Sequence, residues 1–221
     1  MENLDVRRTG VLAVASGLLG LLGVGLLIGA LAAPTPAPDS MRRATSLFAW
    51  QNAAVVLQAL MMIPVTLGLF QAGRNLNRNG DTLTASIGLL GQITLVLAAG
   101  LLFTGTVSDM LYMAPIGLVG VWLLLISRKT DETSTRAIVW TGRVAGVGLV
   151  LVGAGFVIYG ALVAPAVFMR PLSNAEIDAQ SLTTPNLIAH VCMALGTLLG
   201  RLIYPIWAII LGRRMVRLAA S

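Results

Sequence analysis

The chain has 221 residues, of which 57% are hydrophobic and only 11% are charged, and its mean hydropathy is +0.86. A soluble domain of this length has too little interior to bury so much apolar surface, so the composition excludes an ordinary soluble protein and predicts a polytopic membrane protein. A net charge of +6 would suggest nucleic acid for a soluble chain. Because the basic residues fall in short segments between apolar runs, we expect no nucleic-acid partner here.

Six apolar runs predict an all-α bundle of six transmembrane helices. The first run follows Arg7 and Arg8 and ends in LAAPTPAP, which resembles a signal-peptide cleavage region. Its length of about 22 residues exceeds that of a signal-peptide core, so we expect it to be retained as the first span. The six predicted spans are residues 10–32, 46–70, 82–104, 108–127, 138–163 and 186–212.

The distribution of Lys and Arg predicts that both termini lie in the cytoplasm. With that orientation only Arg42, Arg43 and Arg170 lie outside, and Arg201 lies within the sixth span. Eleven basic residues then lie inside: Arg7, Arg8, Arg74, Arg78, Arg128, Lys129, Arg136, Arg143, Arg213, Arg214 and Arg217.

Short connections predict that consecutive helices are antiparallel neighbours in a single transmembrane domain, residues 1–221, with no soluble domain. The longest outer connection, residues 164–185, has room for a short surface helix. The segment 64–105 can also be aligned with 115–160, so that three glycines in each coincide. A duplicated hairpin and a chance match between glycine-rich sequences are both open interpretations.

Glycine pairs spaced four residues apart occur in three spans. They are Gly25 and Gly29, Gly142 and Gly146, and Gly196 and Gly200. Small residues at this spacing allow two helix backbones to approach closely in lipid. We expect packing within the monomer, with a dimer interface as the alternative.

Arg201 is the most unusual residue of the sequence, because it lies near the middle of the sixth span. At about 100° per residue it shares one helical stripe with the other polar side chains of that span. Inserting an arginine at the middle of a span costs from about 3 to more than 10 kcal/mol. Arg213, at the inner end of the span, is 12 residues away, so the Arg201 side chain is too short to reach the inner membrane interface completely. We therefore expect an inward-facing guanidinium. The stripe contains Asn186, His190, Thr197, Arg201 and Tyr204.

Three prolines fall within predicted spans. Pro205 cannot donate a hydrogen bond to the carbonyl of Arg201, so we expect a bend beside the arginine. Pro64 and Pro115 predict similar bends in the second and fourth spans.

Polar residues of other spans predict an interior polar track around Arg201. One interpretation is a site that binds an anionic or carbonyl-bearing amphiphile such as a lipid, a fatty acid or a quinone. The other interpretation is that Arg201 makes only structural hydrogen bonds inside the bundle and binds no ligand. The outer part of the track contains Gln51, Asp109, Tyr112, Tyr159 and His190, and the deeper part contains Gln58, Gln92 and Arg201.

No cofactor or metal site is expected. His190 and Cys192 are single residues of their type, so a bis-histidine haem and a thiolate cluster are excluded. Haem ligation by His190 would need a methionine such as Met62 or Met113 opposite it, which the sequence does not favour over apolar packing.

Catalytic motifs are absent from the sequence, which favours a non-enzymatic role. We predict a component that binds a lipid-like or quinone-like ligand, or an accessory subunit of a membrane assembly. A small transporter of an anionic or amphiphilic solute is the alternative, and an intramembrane enzyme acting on lipids is the third. The expected partners are membrane lipids, with other membrane subunits or a second copy of the chain as open alternatives.

Three tryptophans lie near predicted span ends, where amphipathic rings commonly anchor at the membrane interface. They are Trp50, Trp140 and Trp207.

The six-span layout and two segments resemble uncharacterised bacterial six-span membrane proteins, which are grouped as domains of unknown function. The segments are PIGLVGVWLLLISR (115–128) and GRVAGVGLVLVGAGFVIYG (142–160). The resemblance implies location in the bacterial inner membrane, and it assigns no site residues.

Overall fold

The computed structural model describes residues 2–32, 38–75, 82–104, 108, 110–129, 135–170 and 183–220. These residues form helices and turns, with no strand among them. In chain order the helices are α1 (Glu2–Leu31), α2 (Pro38–Asn75), α3 (Thr82–Leu101), α4 (Met113–Lys129), α5 (Arg136–Leu162), α6 (Thr184–Gly196) and α7 (Leu202–Leu218). A π-helical turn, Thr197–Arg201, joins α6 to α7, and 3-10 turns follow α3 (Leu102–Thr104) and α5 (Pro165–Phe168).

The predicted all-α bundle is confirmed. Within the described residues, five helical stretches are long and apolar enough to cross a membrane, counting α6, the π turn and α7 as one stretch, Thr184–Leu218. The helix α4 is apolar but shorter. Its predicted start at residue 108 is wrong, because residues 110–112 form a turn and the helix begins at Met113. Pro115 consequently lies in the first helical turn, where its missing N–H breaks no helical hydrogen bond, so the reason for expecting a bend inside α4 does not apply.

The helices form a closed ring in chain order. Each helix from α1 to α5 packs on the next, α5 packs on α6, the π turn and α7, and α7 packs back on α1. This arrangement agrees with the antiparallel neighbours expected from short connections. A closed ring of helices has one common interior, and a polar group on any inward face therefore has access to it.

Glycines bring the backbones of the last spans together. A Cβ atom at Gly148 would lie 2.6 Å from the Cα atom of Gly200, and one at Gly196 would lie 2.6 Å from the carbonyl oxygen of Gly148. Gly146 packs equally closely on Gly120 of α4. Two of the three predicted glycine pairs therefore pack within the monomer, as small residues permit in lipid.

The third pair differs. A Cβ atom at Gly25 would meet nothing within 4 Å, and one at Gly29 would meet only the Leu47 side chain at 3.8 Å. The backbone around Gly25 is thus not in close helix contact within the chain. The suggested hairpin repeat stays a prediction, and Gly105 of that alignment lies outside the described residues.

Large apolar side chains cover the outer surface of the ring, as expected for a surface that faces acyl chains. Leu18, Leu97 and Leu198 lie on three different spans and all are exposed. The interior holds a continuous cluster that includes Met62, Trp122 and Leu149. A smaller cluster around Phe156 and Tyr159 lies near the 3-10 turn Pro165–Phe168.

The three tryptophans that were predicted to be interface anchors differ in their exposure. Trp50 and Trp140 are exposed, as an interface position requires, but Trp207 is only 2% exposed. Its ring stands edge-on to that of Trp122, with centroids 5.8 Å apart. The interface prediction for Trp207 is therefore wrong, because α7 turns this side chain into the ring.

The connection predicted to hold a surface helix contains the 3-10 turn Pro165–Phe168. The remainder of that prediction, residues 171–182, lies outside the described residues.

Candidate functional site

Arg201 ends the π-helical turn, four residues before Pro205 of α7. In a π turn the hydrogen bonds join residues five apart, which inserts one extra residue into the helical register, and such turns are common at functional sites. Pro205 continues the departure from regular α-helix, since it has no N–H to donate to the Arg201 carbonyl. The helical hydrogen-bond pattern is therefore irregular on both sides of Arg201.

The guanidinium of Arg201 contacts a phenol from the turn before α4. Its Nη1 atom donates a hydrogen bond to the Tyr112 hydroxyl oxygen at 3.2 Å, and its Cζ atom lies 5.4 Å from the centre of the Tyr112 ring. Tyr112 is itself buried. A neutral phenol satisfies one of the five guanidinium N–H groups and supplies no compensating charge.

A second hydrogen bond joins α3 to α7 beside the first. The side-chain amide of Gln92 donates to the Tyr204 hydroxyl oxygen at 3.1 Å. Both side chains are buried, and the Tyr204 ring stacks on the Trp207 ring with centroids 5.9 Å apart. Because its oxygen accepts from Gln92, the Tyr204 hydroxyl keeps its own hydrogen available for another acceptor.

A cavity of about 40 Å³ lies at these residues, and α1 to α5, the π turn and α7 all contribute to its lining. Arg201, Tyr204 and Gln58 supply its polar atoms. The remaining lining side chains are apolar or glycine: Gly20, Gly23, Val24, Val55, Leu95, Ile116, Val119 and Leu149.

Two glutamines of α2 have unused donors. The side-chain nitrogens of Gln58 and Gln51 are both buried and have no hydrogen-bond partner. Gln51 is 1% exposed and precedes Gln58 by two helical turns on the same face. A buried amide without a partner costs about 1–3 kcal/mol, so these groups mark places where an acceptor would be stabilised.

Gly20 of α1 makes room for the Gln58 amide. A Cβ atom at Gly20 would lie 2.5 Å from Nε2 of Gln58 and 2.6 Å from Cγ of Pro205. Ser16, one turn earlier, donates to the backbone oxygen of Gln58 at 3.3 Å. The first span therefore fixes the position of this part of α2.

Tyr159 and His190, which were predicted to belong to the polar track, do not line the cavity. The rings of Tyr159 and His190 meet edge-on at 5.6 Å in the smaller cluster, and His190 Nδ1 lies 2.9 Å from the backbone oxygen of Asn186. Tyr159 is buried, whereas His190 is exposed on the side of α6. The expected interior position of His190 is thus wrong.

Two further predicted site residues, Thr197 and Asp109, are not among the lining residues of the cavity that the structure describes. Thr197 begins the π turn and does not line the cavity, and Asp109 lies outside the described residues. Among the residues that the structure describes, no group of three or more His, Cys, Asp or Glu side chains could hold a metal ion.

Sequence reasoning missed the aromatic contacts next to the site, in which the Trp207 ring stacks on that of Tyr204 and meets the Trp122 ring edge-on. It also missed the π turn, for which Gly200 and Pro205 were the only local signals. The contact between Arg201 and Tyr112 was not predicted as a pair, although both residues were predicted to be interior.

Comparison with known proteins adds no assignment to this geometry: no family model, no curated protein and no solved structure matches the chain.

Proposed function

We propose that this protein is a non-enzymatic membrane component whose bundle interior binds the oxygen-bearing head of an amphiphile, with Arg201 as the principal donor. It would act alone or as an accessory subunit of a larger membrane assembly. The observation that supports the proposal is the surplus of donors at the cavity. Arg201, Gln58 and Tyr204 all have N–H or O–H groups available there, while most of the lining is apolar.

The charge of Arg201 also supports the binding of an oxygen-bearing ligand. All nine acidic residues of the sequence lie near span ends or in connections, and the guanidinium contacts the neutral side chain of Tyr112. Arg201 is partly buried, and a cation removed from water without a counterion is unfavourable. Intramembrane charges commonly mark binding sites or solute paths. A bound anionic or carbonyl oxygen would offset that cost.

We further propose location in the bacterial inner membrane, with six spans and both termini inside. The distribution of arginine supports this orientation. Gly10 packs on Gly212 and Arg214 Nη1 donates to Thr135 Oγ1 at 3.1 Å, so the start of α1, the start of α5 and the end of α7 meet at one end of the ring. Within the described residues, exposed arginines at this end are Arg7, Arg8, Arg128, Arg136, Arg213 and Arg217.

A small transporter is the second candidate. It is favoured by the two unpartnered amides of α2, since Gln51 and Gln58 are about 10 Å apart along the helix and would form successive polar steps toward Arg201. A carrier requires that a solute pass completely through the ring. Exchange of a radiolabelled solute by protein in liposomes separates this function from simple binding.

The direct test of binding is native mass spectrometry of the protein extracted in mild detergent. The wild type is expected to retain a non-covalent species that Arg201→Leu does not retain. Arg213→Leu is the matched control, because it removes an exposed arginine from the same span and should leave the bound species in place. An identical set of bound species in all three proteins would contradict the proposed role of Arg201.

A further inference from the structure

The chemical class of the ligand can be narrowed from the cavity itself, and this inference rests on the proposed function. Polar atoms facing the cavity are mainly donors. Four N–H groups of the Arg201 guanidinium remain after its bond to Tyr112, the Gln58 amide nitrogen has no partner, and the Tyr204 hydroxyl already accepts from Gln92. The site therefore suits a group with several acceptor lone pairs and no hydrogen to donate.

The charge balance of the site favours a single negative charge. Gln58 and Tyr204 are neutral, so the lining residues supply one positive charge in total. A neutral carbonyl would leave that charge uncompensated in a low-dielectric interior, and a dianion would leave an excess negative charge there. Only a monoanion makes the occupied cavity neutral.

The size of the cavity limits the group further. A buried water molecule needs about 10–15 Å³, so the cavity of about 40 Å³ has space equivalent to about three water molecules. The two oxygens and one carbon of a carboxylate match that space. Compared head group with head group, a phosphodiester, which has four oxygens on its phosphorus, and a quinone ring are both larger than the cavity in this form.

We propose that the cavity binds a monovalent carboxylate, held by the guanidinium of Arg201 and by the amide of Gln58. The planar fork of arginine fits the two carboxylate oxygens, and the Tyr204 hydroxyl is the third donor. A long-chain fatty acid and a short soluble monocarboxylate have the same head group, so the chemistry is shared between these two sources.

Ligand-dependent thermal unfolding of the full chain in detergent tests this inference, because a ligand that binds the folded state raises the unfolding temperature. The probes are palmitate, hexadecanol, lysophosphatidic acid, a short-chain quinone and acetate. Palmitate and hexadecanol share a chain length and differ in the charged head. We expect palmitate to stabilise the protein and hexadecanol to have no effect that depends on Arg201; stabilisation by acetate would identify a short acid as sufficient.

Three variants make the test specific. Arg201→Gln is expected to weaken palmitate binding about a hundredfold and Gln58→Leu about tenfold, as expected for charged and neutral hydrogen-bond partners. Arg213→Gln should bind as the wild type does. Gln58→Leu leaves the guanidinium in place, so it remains informative if the Arg201 variant does not fold.

The outcomes distinguish a failure of the carboxylate assignment from a failure of the proposed function. Arg201-dependent stabilisation by the quinone or by lysophosphatidic acid, but not by either carboxylate, would overturn the carboxylate assignment and keep the proposed function. Equal stabilisation by palmitate and hexadecanol in wild type and Arg201→Gln would overturn the assignment by showing chain binding alone. The absence of any Arg201-dependent ligand would overturn both proposals.

Discussion

Arg201 and Tyr112 contact each other in two ways, through a hydrogen bond of 3.2 Å to the phenol oxygen and through the face of the ring at 5.4 Å from Cζ. These residues are 89 positions apart in the chain and join the turn before α4 to the π turn before α7. The contact orients the Arg201 guanidinium, and it leaves the other guanidinium donors for the cavity.

The first prediction concerns this contact. Tyr112→Phe removes the acceptor and keeps the ring, so it should destabilise the protein by about 0.6 kcal/mol, the average for hydrogen bonds between membrane helices, and by no more than about 1.7 kcal/mol, their maximum. Unfolding in mixed detergent micelles measures the difference. In an Arg201→Leu background the same change should cost much less, because the donor is gone. An equal cost in both backgrounds would show that the hydrogen bond does not contribute.

The second prediction concerns close packing of the last spans. Gly148→Ala places a Cβ atom 2.6 Å from Gly200 Cα, so the helices must separate, at a cost of about 1–3 kcal/mol. Gly25→Ala is the matched control, since nothing lies within 4 Å of its Cβ position, and it should be neutral or stabilising by up to about 1 kcal/mol. Reversal of this order in an unfolding experiment would contradict the packing of α5 on the π turn.

The third prediction separates the tryptophans by environment. Trp122 and Trp207 are packed against each other inside the ring, whereas Trp50 and Trp140 are exposed. In single-tryptophan variants reconstituted with brominated lipids, fluorescence of Trp140 should be quenched strongly and that of Trp207 weakly. Strong quenching of Trp207 would mean that α7 turns this side chain toward lipid.

The fourth prediction concerns orientation. Cys192 is the only cysteine, so Cys192→Ala gives a background for labelling with a membrane-impermeant maleimide. Met169, which is 83% exposed, lies in the predicted outer connection, and Arg217 lies near the predicted inner end of α7. Met169→Cys should react in intact cells, and Arg217→Cys only after permeabilisation. The opposite pattern would reverse the proposed topology.

Element positions were predictable because spans are determined mainly by composition. The third and fifth spans were predicted as 82–104 and 138–163, and they occupy Thr82–Thr104 and Arg136–Leu162. The start of α4 was missed because hydropathy does not distinguish an apolar turn from an apolar helix. Because the helix begins at Met113, Pro115 lies in its first turn, where proline is tolerated, and not in its interior.

The site was predictable only in part, because its contacts are tertiary. Arg201 was predicted to be interior since charge in lipid is costly, but its partner depends on where the turn before α4 lies. His190 was placed on the same stripe by a uniform 100° per residue. The buried side of α6 is instead marked by Ala189 and Met193, and the π turn interrupts the uniform progression before Arg201.

The most direct test of the account is a crystal structure of the protein grown from a lipidic mesophase without added ligand. We predict non-protein density inside the ring, within hydrogen-bonding distance of both the Arg201 guanidinium and the Gln58 amide nitrogen. A guanidinium directed at acyl chains outside the ring, or a cavity closed by the protein's own side chains around Arg201, would contradict it.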